Sequence, residues 1–182
     1  MQRRKSEFWQ TVETIETIIR TEEGVEMQLE GPFEDILENA AHIPVVSSVT
    51  DKNRVVLMSV PVNMAKEDVA LILGQVEVTN NLGLNVGFGR YITRGISPTD
   101  VGGKWLVPAN MDNITPGEHH RSQHFWAVDS DAEGTFYYNM VAYAVSSDGN
   151  GNLIVQQKYG KLVVMKFRRE ASTNPKRKGA KK

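Results

Sequence analysis

Residues 117–167 read GEHHRSQHFWAVDSDAEGTFYYNMVAYAVSSDGNGNLIVQQKYGKLVVMKF. Apolar and polar residues alternate through four segments, and Asp, Gly and Asn cluster between them, as half-buried strands joined by tight turns require. In the first segment His120, Ser122, His124, Trp126 and Val128 share one face, with His119, Arg121, Gln123, Phe125 and Ala127 on the other. Thr135 to Val145, Leu153 to Gln157 and Leu162 to Phe167 supply three more strands. The acidic and Asn/Gly-rich turns between them carry hairpin chemistry.

Working outward, the preceding chain is also dominated by strand patterns. Val45 to Val49 and Arg54 to Val62 flank the turn TDKN and predict a hairpin. Lys66 to Thr79 runs from the apolar VALILG into an alternation, as though one strand passes from buried to half-exposed. Asn85 to Thr93 gives a further strand in which Gly87 and Gly89 mark a bulge or a close neighbour. The loop RGISPTDVGG leads to a short strand at KWLV. Helical spacing occurs only near the start. Ser6 can cap a helix whose Phe8, Val12, Ile15 and Ile19 share a stripe, with Glu7, Glu13 and Glu16 on other faces and Gly24 at its end. Val25, Met27 and Leu29 then alternate as a short strand, Gly31-Pro32 breaks it, and Phe33, Ile36 and Leu37 suggest one or two helical turns through FEDILENAA.

At 182 residues and 40% hydrophobic content the chain suits one domain with an arm. It has no cysteine, which excludes disulfides, thiolate metal sites and a cysteine nucleophile. No apolar run is long enough to span a bilayer, and the basic start leads into a Thr/Glu-rich stretch unlike a signal peptide. The net charge of -1 conceals a polarity: residues 1–5 and 166–182 together carry +10, and the body between them carries -11. Such ends solvate or seek a polyanion. The candidate partner-binding residues are therefore Arg3, Arg4 and Lys5 at one end and Arg168, Arg169, Lys176, Arg177, Lys178, Lys181 and Lys182 at the other. Phe167 is the only aromatic among the C-terminal charges, which argues against sequence-specific base stacking and leaves non-specific phosphate contact open.

Other constellations have plainer explanations. Glu118, His119, His120 and His124 are candidate metal ligands, but His120 and His124 on one strand lie about 13 Å apart at roughly 3.3 Å per residue. DSDAEG begins like a calcium loop through Asp129, Asp131, Glu133 and Gly134, yet Met140 stands where the closing glutamate belongs. DGNGN offers Asp148, Asn150 and Asn152 with little charge. Trp105, Trp126, Tyr137, Tyr138 and Tyr143 could line a sugar-binding face, and a buried aromatic core is the simpler expectation. No catalytic residue, metal or cofactor is expected.

Pro116, Gly117, His120, Gly160 and Leu162, a Pro-Gly turn before a His-containing strand and a final Gly-x-Leu strand, make the chain resemble jelly rolls of the tumour-necrosis-factor and complement-head type and those of phage and virus surfaces. The resemblance implies proteins that are often trimeric and that bind or build shells. The expected fold is all-β, an antiparallel jelly-roll-like sandwich at 42–168, with an N-terminal arm at 1–41 and an extended basic tail at 169–182. The expected function is non-enzymatic: a virion structural protein, a capsid decoration or minor capsid protein attached by its ends to acidic surfaces of neighbouring particle subunits and to itself as a trimer, made in the host cytoplasm, without membrane partners. The alternatives are a carbohydrate- or receptor-binding module using Trp105, Tyr137 or Tyr138, and a cupin-like metal enzyme using His119, His120 and His124.

Overall fold

A computed structural model of the chain describes residues 27–121, 125–157 and 159–169. The expected helix from Ser6 to Gly24 lies outside them. The strands in chain order are β1 (Met27–Ile36), β2 (Ala41–Val46), β3 (Val55–Met64), β4 (Asp68–Gln75) and β5 (Glu77–Thr79). There follow β6 (Val86–Gly95), β7 (Lys104–Trp105), β8 (Asn110–Ile114), β9 (His119–Arg121) and β10 (Phe125–Asp129). The last are β11 (Gly134–Val145), β12 (Asn152–Val155) and β13 (Lys161–Arg169).

They form two sheets. One has four strands in the order β1-β13-β4-β10. The other has nine, along the path β7-β6-β11-β2-β12-β5-β9, with β3 also against β11 and β8 against β6. Pairing is antiparallel except for a short parallel contact of Ala144 and Val145 with Val45 and Val46. The sheets stack as a sandwich on one core that joins Ile72, Leu162, Val164 and Phe125 of the first to Val60, Phe88, Ile92, Tyr138 and Met140 of the second. Each such side chain, fully buried, stabilises the fold by about 1.5–3 kcal/mol. Close approach sets some residue choices. A Cβ on Gly74 would lie 2.5 Å from the Met140 methyl across the core, and one on Gly89 would lie 2.2 Å from the Tyr143 ring beside it.

Every strand of the four-stranded sheet is flanked in sequence only by strands of the other sheet. This corrects the hairpin expectations. The turn DSDAEG carries the chain from β10 in one sheet to β11 in the other, and across DGNGN the strands β11 and β12 are separated by β2. The expected hairpin around TDKN is also absent: β2 pairs with β12 and β11, and β3 pairs with β11. The long strand expected over 66–79 divides at buried Val76, where β4 gives way to β5 in the opposite sheet. The histidine-bearing strand divides likewise into β9 and β10.

The helical turns expected in FEDILENAA are strand instead. Residues 33–36 continue β1 in register with Val164 to Lys161, after a register shift between Glu30 and Phe33. Pro32 is tolerated there because an edge strand with a bulge needs no ladder N–H from it. Pairing with β13, and an Asp35 carboxylate that accepts from the Ser59 amide at 2.8 Å, override the local helical spacing. Strand β8 was not expected, since only Ile114 in its sequence is buried.

Candidate functional site

The antiparallel ladder of β1 and β13 begins with Met27 opposite Arg169 and Gln28 opposite Arg168. Register partners of such a ladder are about 4.5–5.5 Å apart at Cα. The described chain therefore begins and ends at one corner of the four-stranded sheet. Of the candidate partner-binding residues, Arg168 lies within this ladder and Arg169 ends it, while Arg3, Arg4, Lys5, Lys176, Arg177, Lys178, Lys181 and Lys182 lie outside the described residues.

Charge anchors that corner. Asp68 is buried, and its carboxylate accepts from Arg168 Nε at 3.1 Å and Nη2 at 3.3 Å and from the Ala65 amide at 2.8 Å. Buried Lys166 reaches Glu30 at 2.6 Å and the Asn63 carbonyl at 3.1 Å, and lies 3.6 Å from Asp68. Arg168 also meets Glu30 at 3.2 Å. Burial pushes the Asp68 carboxyl up, but Arg168, the Ala65 amide and Lys166 together outweigh it and hold the group below its ordinary value. The basic end of the chain is thus stapled into the sandwich through Arg168 before the tail begins.

A second network occupies the acidic turn. Arg94 Nη1 donates to both oxygens of Asp129 and to Asp131 Oδ1, each at 2.9 Å, and Lys104 donates to Asp131. The Tyr138 hydroxyl donates to Asp129 at 3.1 Å. Burial, with the Asp131 carboxyl adding to it, raises the Asp129 carboxyl, whereas Lys104 beside exposed Asp131 lowers that one. Two oxygen donors of the calcium-like turn are thus already satisfied by protein cations, and sequence reasoning missed both pairs.

Of the histidine cluster, His119 and Glu118 have partners of their own within the fold. His119 Nδ1 lies 2.9 Å from Thr79 Oγ1, which also accepts from Gln156. Glu118 accepts from the Thr115 amide and hydroxyl at 2.8 Å. Residue 124 lies outside the described residues, and among those described no three His, Asp or Glu side chains are arranged to hold a metal ion. The aromatics divide. Tyr138 is fully buried, which removes it as a sugar platform. Trp105 is half exposed and stacks on Tyr91 at 4.3 Å, with Arg54 above both rings. Trp126, expected in the core, is 62% exposed beside exposed Val128, because the alternation of β10 turns Phe125, Ala127 and Asp129 inward.

No protein-family model matches the sequence, and no curated protein matches it. Among solved structures the chain is similar to one of the T13 viral particle of infectious bursal disease virus, at 12% identity and a TM-score of 0.46, over 81% of this chain and 36% of that one. It is similar to the VP2 subviral particle of the same virus at 10% identity and a TM-score of 0.44, over 80% of this chain and 38% of that one. A third is the CBM22-1 xylan-binding domain from Paenibacillus barcinonensis Xyn10C, at 10% identity and a TM-score of 0.32, over 78% of this chain and all of that one. The chain spans well under half the length of the two viral chains.

Proposed function

We propose that this chain is a non-enzymatic structural protein of a virus or phage particle, a capsid decoration or minor capsid protein fastened through its basic ends. The observation that carries the proposal is the pairing of Met27 with Arg169, from which both ends issue at one corner. Arg3, Arg4 and Lys5 on one end and Lys176, Arg177, Lys178, Lys181 and Lys182 on the other then act together in attachment. Their partner is an acidic protein surface. The body of a sister subunit, at -11 between the basic ends, provides one, and the proposed assembly is a trimer. The ion pair of half-exposed Arg168 with buried Asp68 transmits load from the tail into the sheet.

Sedimentation of the full chain at low and high salt, beside a variant with alanine at Lys176, Arg177, Lys178, Lys181 and Lys182, tests this. Self-association should weaken as the Debye length falls from about 10 Å at 0.1 M to about 3 Å at 1 M, and should be lost in the variant. A full chain that stays monomeric at every salt, yet binds mixed-sequence duplex DNA with a steep salt dependence, would reassign the ends to nucleic acid. A second reading as a carbohydrate-binding module is favoured by one observation, the exposed Trp105 stacked on Tyr91. Sugar-specific binding on a glycan array, lost in Trp105→Ala, would support it.

A further inference from the structure

The four-stranded sheet buries both of its faces along β4 and β13. In β13, Leu162 and Val164 belong to the sandwich core, whereas Val163, Met165 and Phe167 point the other way. An antiparallel sheet of a sandwich ordinarily wets its outer face, yet these three outward side chains are 0%, 1% and 3% exposed. Leu71 and Leu73 of β4 join them, with Leu29 of β1 packed against the group. All described members of this cluster come from the sheet itself. The outer face nevertheless changes character abruptly at its next strand. On β10, Trp126 and Val128 are 62% and 49% exposed.

We propose that residues 6–24 fold as an amphipathic helix and lie on this outer face within the same molecule, with Phe8, Val12, Ile15 and Ile19 against Leu71, Leu73, Val163, Met165 and Phe167. Connectivity places the segment there. Gly24 precedes Met27, the first residue of edge strand β1, by only three positions, so the helix starts beside the sheet it would cover. Dimensions agree. Residues 7–23 as a helix measure about 25 Å, close to the roughly 30 Å of the nine-residue β13. A helix about 10–12 Å across spans three strands at about 4.8 Å spacing. It therefore covers β1, β13 and β4 and leaves β10 bare, which is the pattern of exposure observed. The glutamates Glu7, Glu13 and Glu16 then face water, and Arg3 to Lys5 project beyond the helix.

The chain lacks cysteine, so single substitutions report one position each. In the full chain at monomeric concentration, Val12→Cys, Ile15→Cys and Ile19→Cys should react with a soluble thiol reagent at least about tenfold more slowly than Glu13→Cys and Glu16→Cys, as a locally protected segment does. Equal rates across the five variants would overturn the proposal. Oxidation of the double variant Ile15→Cys, Leu71→Cys gives the second measurement, one that does not depend on rates. A disulfide within the monomer supports the helix in place, and a disulfide that links two copies, or protection lost on dilution, assigns the face to a second molecule and overturns it.

Discussion

Met27 and Arg169 are register partners at the open end of the β1–β13 ladder. Two ends that are 142 positions apart in the chain therefore leave the sandwich side by side. The proposed joint action of the basic residues at the two ends rests on this pairing. Immediately inside it, Asp68 joins Arg168 of the closing strand to the start of β4, and Glu30 joins Arg168 and Lys166 to β1. The three strands at the corner are thus clamped by charge as well as by backbone hydrogen bonds.

The corner clamp predicts acid sensitivity. The folded Asp68 carboxyl titrates below the unfolded value of 3.8. Its contribution to stability is therefore complete above that value and is lost as pH falls through the lower folded value. Asp68→Asn should cost about 1–2 kcal/mol at neutral pH, since it weakens charge-assisted hydrogen bonds to a half-exposed Arg168 while Lys166 keeps Glu30. Urea unfolding of wild type and Asp68→Asn should give midpoints that converge as pH falls below the unfolded value and through the lower folded one. A gap that stayed constant with pH would show that Asp68 acts through packing and not through charge.

The Arg94–Asp129 pair predicts a larger loss at Asp129 than at Tyr138. Asp129→Ala removes the acceptor for both the buried Tyr138 hydroxyl and Arg94, and should cost about 3 kcal/mol. Tyr138→Phe removes one hydrogen bond and should cost about 1 kcal/mol. Thermal unfolding monitored by circular dichroism separates the two variants.

The glycines predict opposite outcomes. Gly89→Ala drives a methyl into the Tyr143 ring and should destabilise by about 1–3 kcal/mol. Gly83 has open space where a Cβ would go, so Gly83→Ala should be neutral or stabilising by up to about 1 kcal/mol. Denaturant midpoints for the two variants check the contrast.

The all-β sandwich was legible because strand-length runs rich in β-branched and aromatic residues, bounded by turn residues, fill β11 and β13, and those strands are central to the two sheets. Which strand pairs with which was not legible. Alternation reports that a residue faces the core, and a strand that changes sheet keeps facing the same core, so the transitions at Val76 and between β9 and β10 leave no mark on the pattern. The short turns pointed to hairpins for the same reason, since turn residues tell where the chain bends and not which sheet it bends toward. Phe33, Ile36 and Leu37 have helical spacing, yet pairing with β13 decided their conformation. The Trp126 expectation failed because a large aromatic can lie on either face of a strand, and here Phe125 took the inner one. At the site, the basic ends were visible as charge, but the side-by-side position of Met27 and Arg169 was not. It depends on the register of β1 with β13, and Asp68 and Arg168 are a hundred positions apart.

The central claim is attachment through the two basic ends, and zero-length cross-linking of amines to carboxylates, read by mass spectrometry on the protein as isolated from its source, tests it most directly. Links are expected from Lys5, Lys176, Lys178, Lys181 and Lys182 to Asp and Glu of other subunits, at higher yield than from body lysines such as Lys52 and Lys66. Links from these five lysines confined to their own chain, in a protein recovered as a monomer, would contradict it.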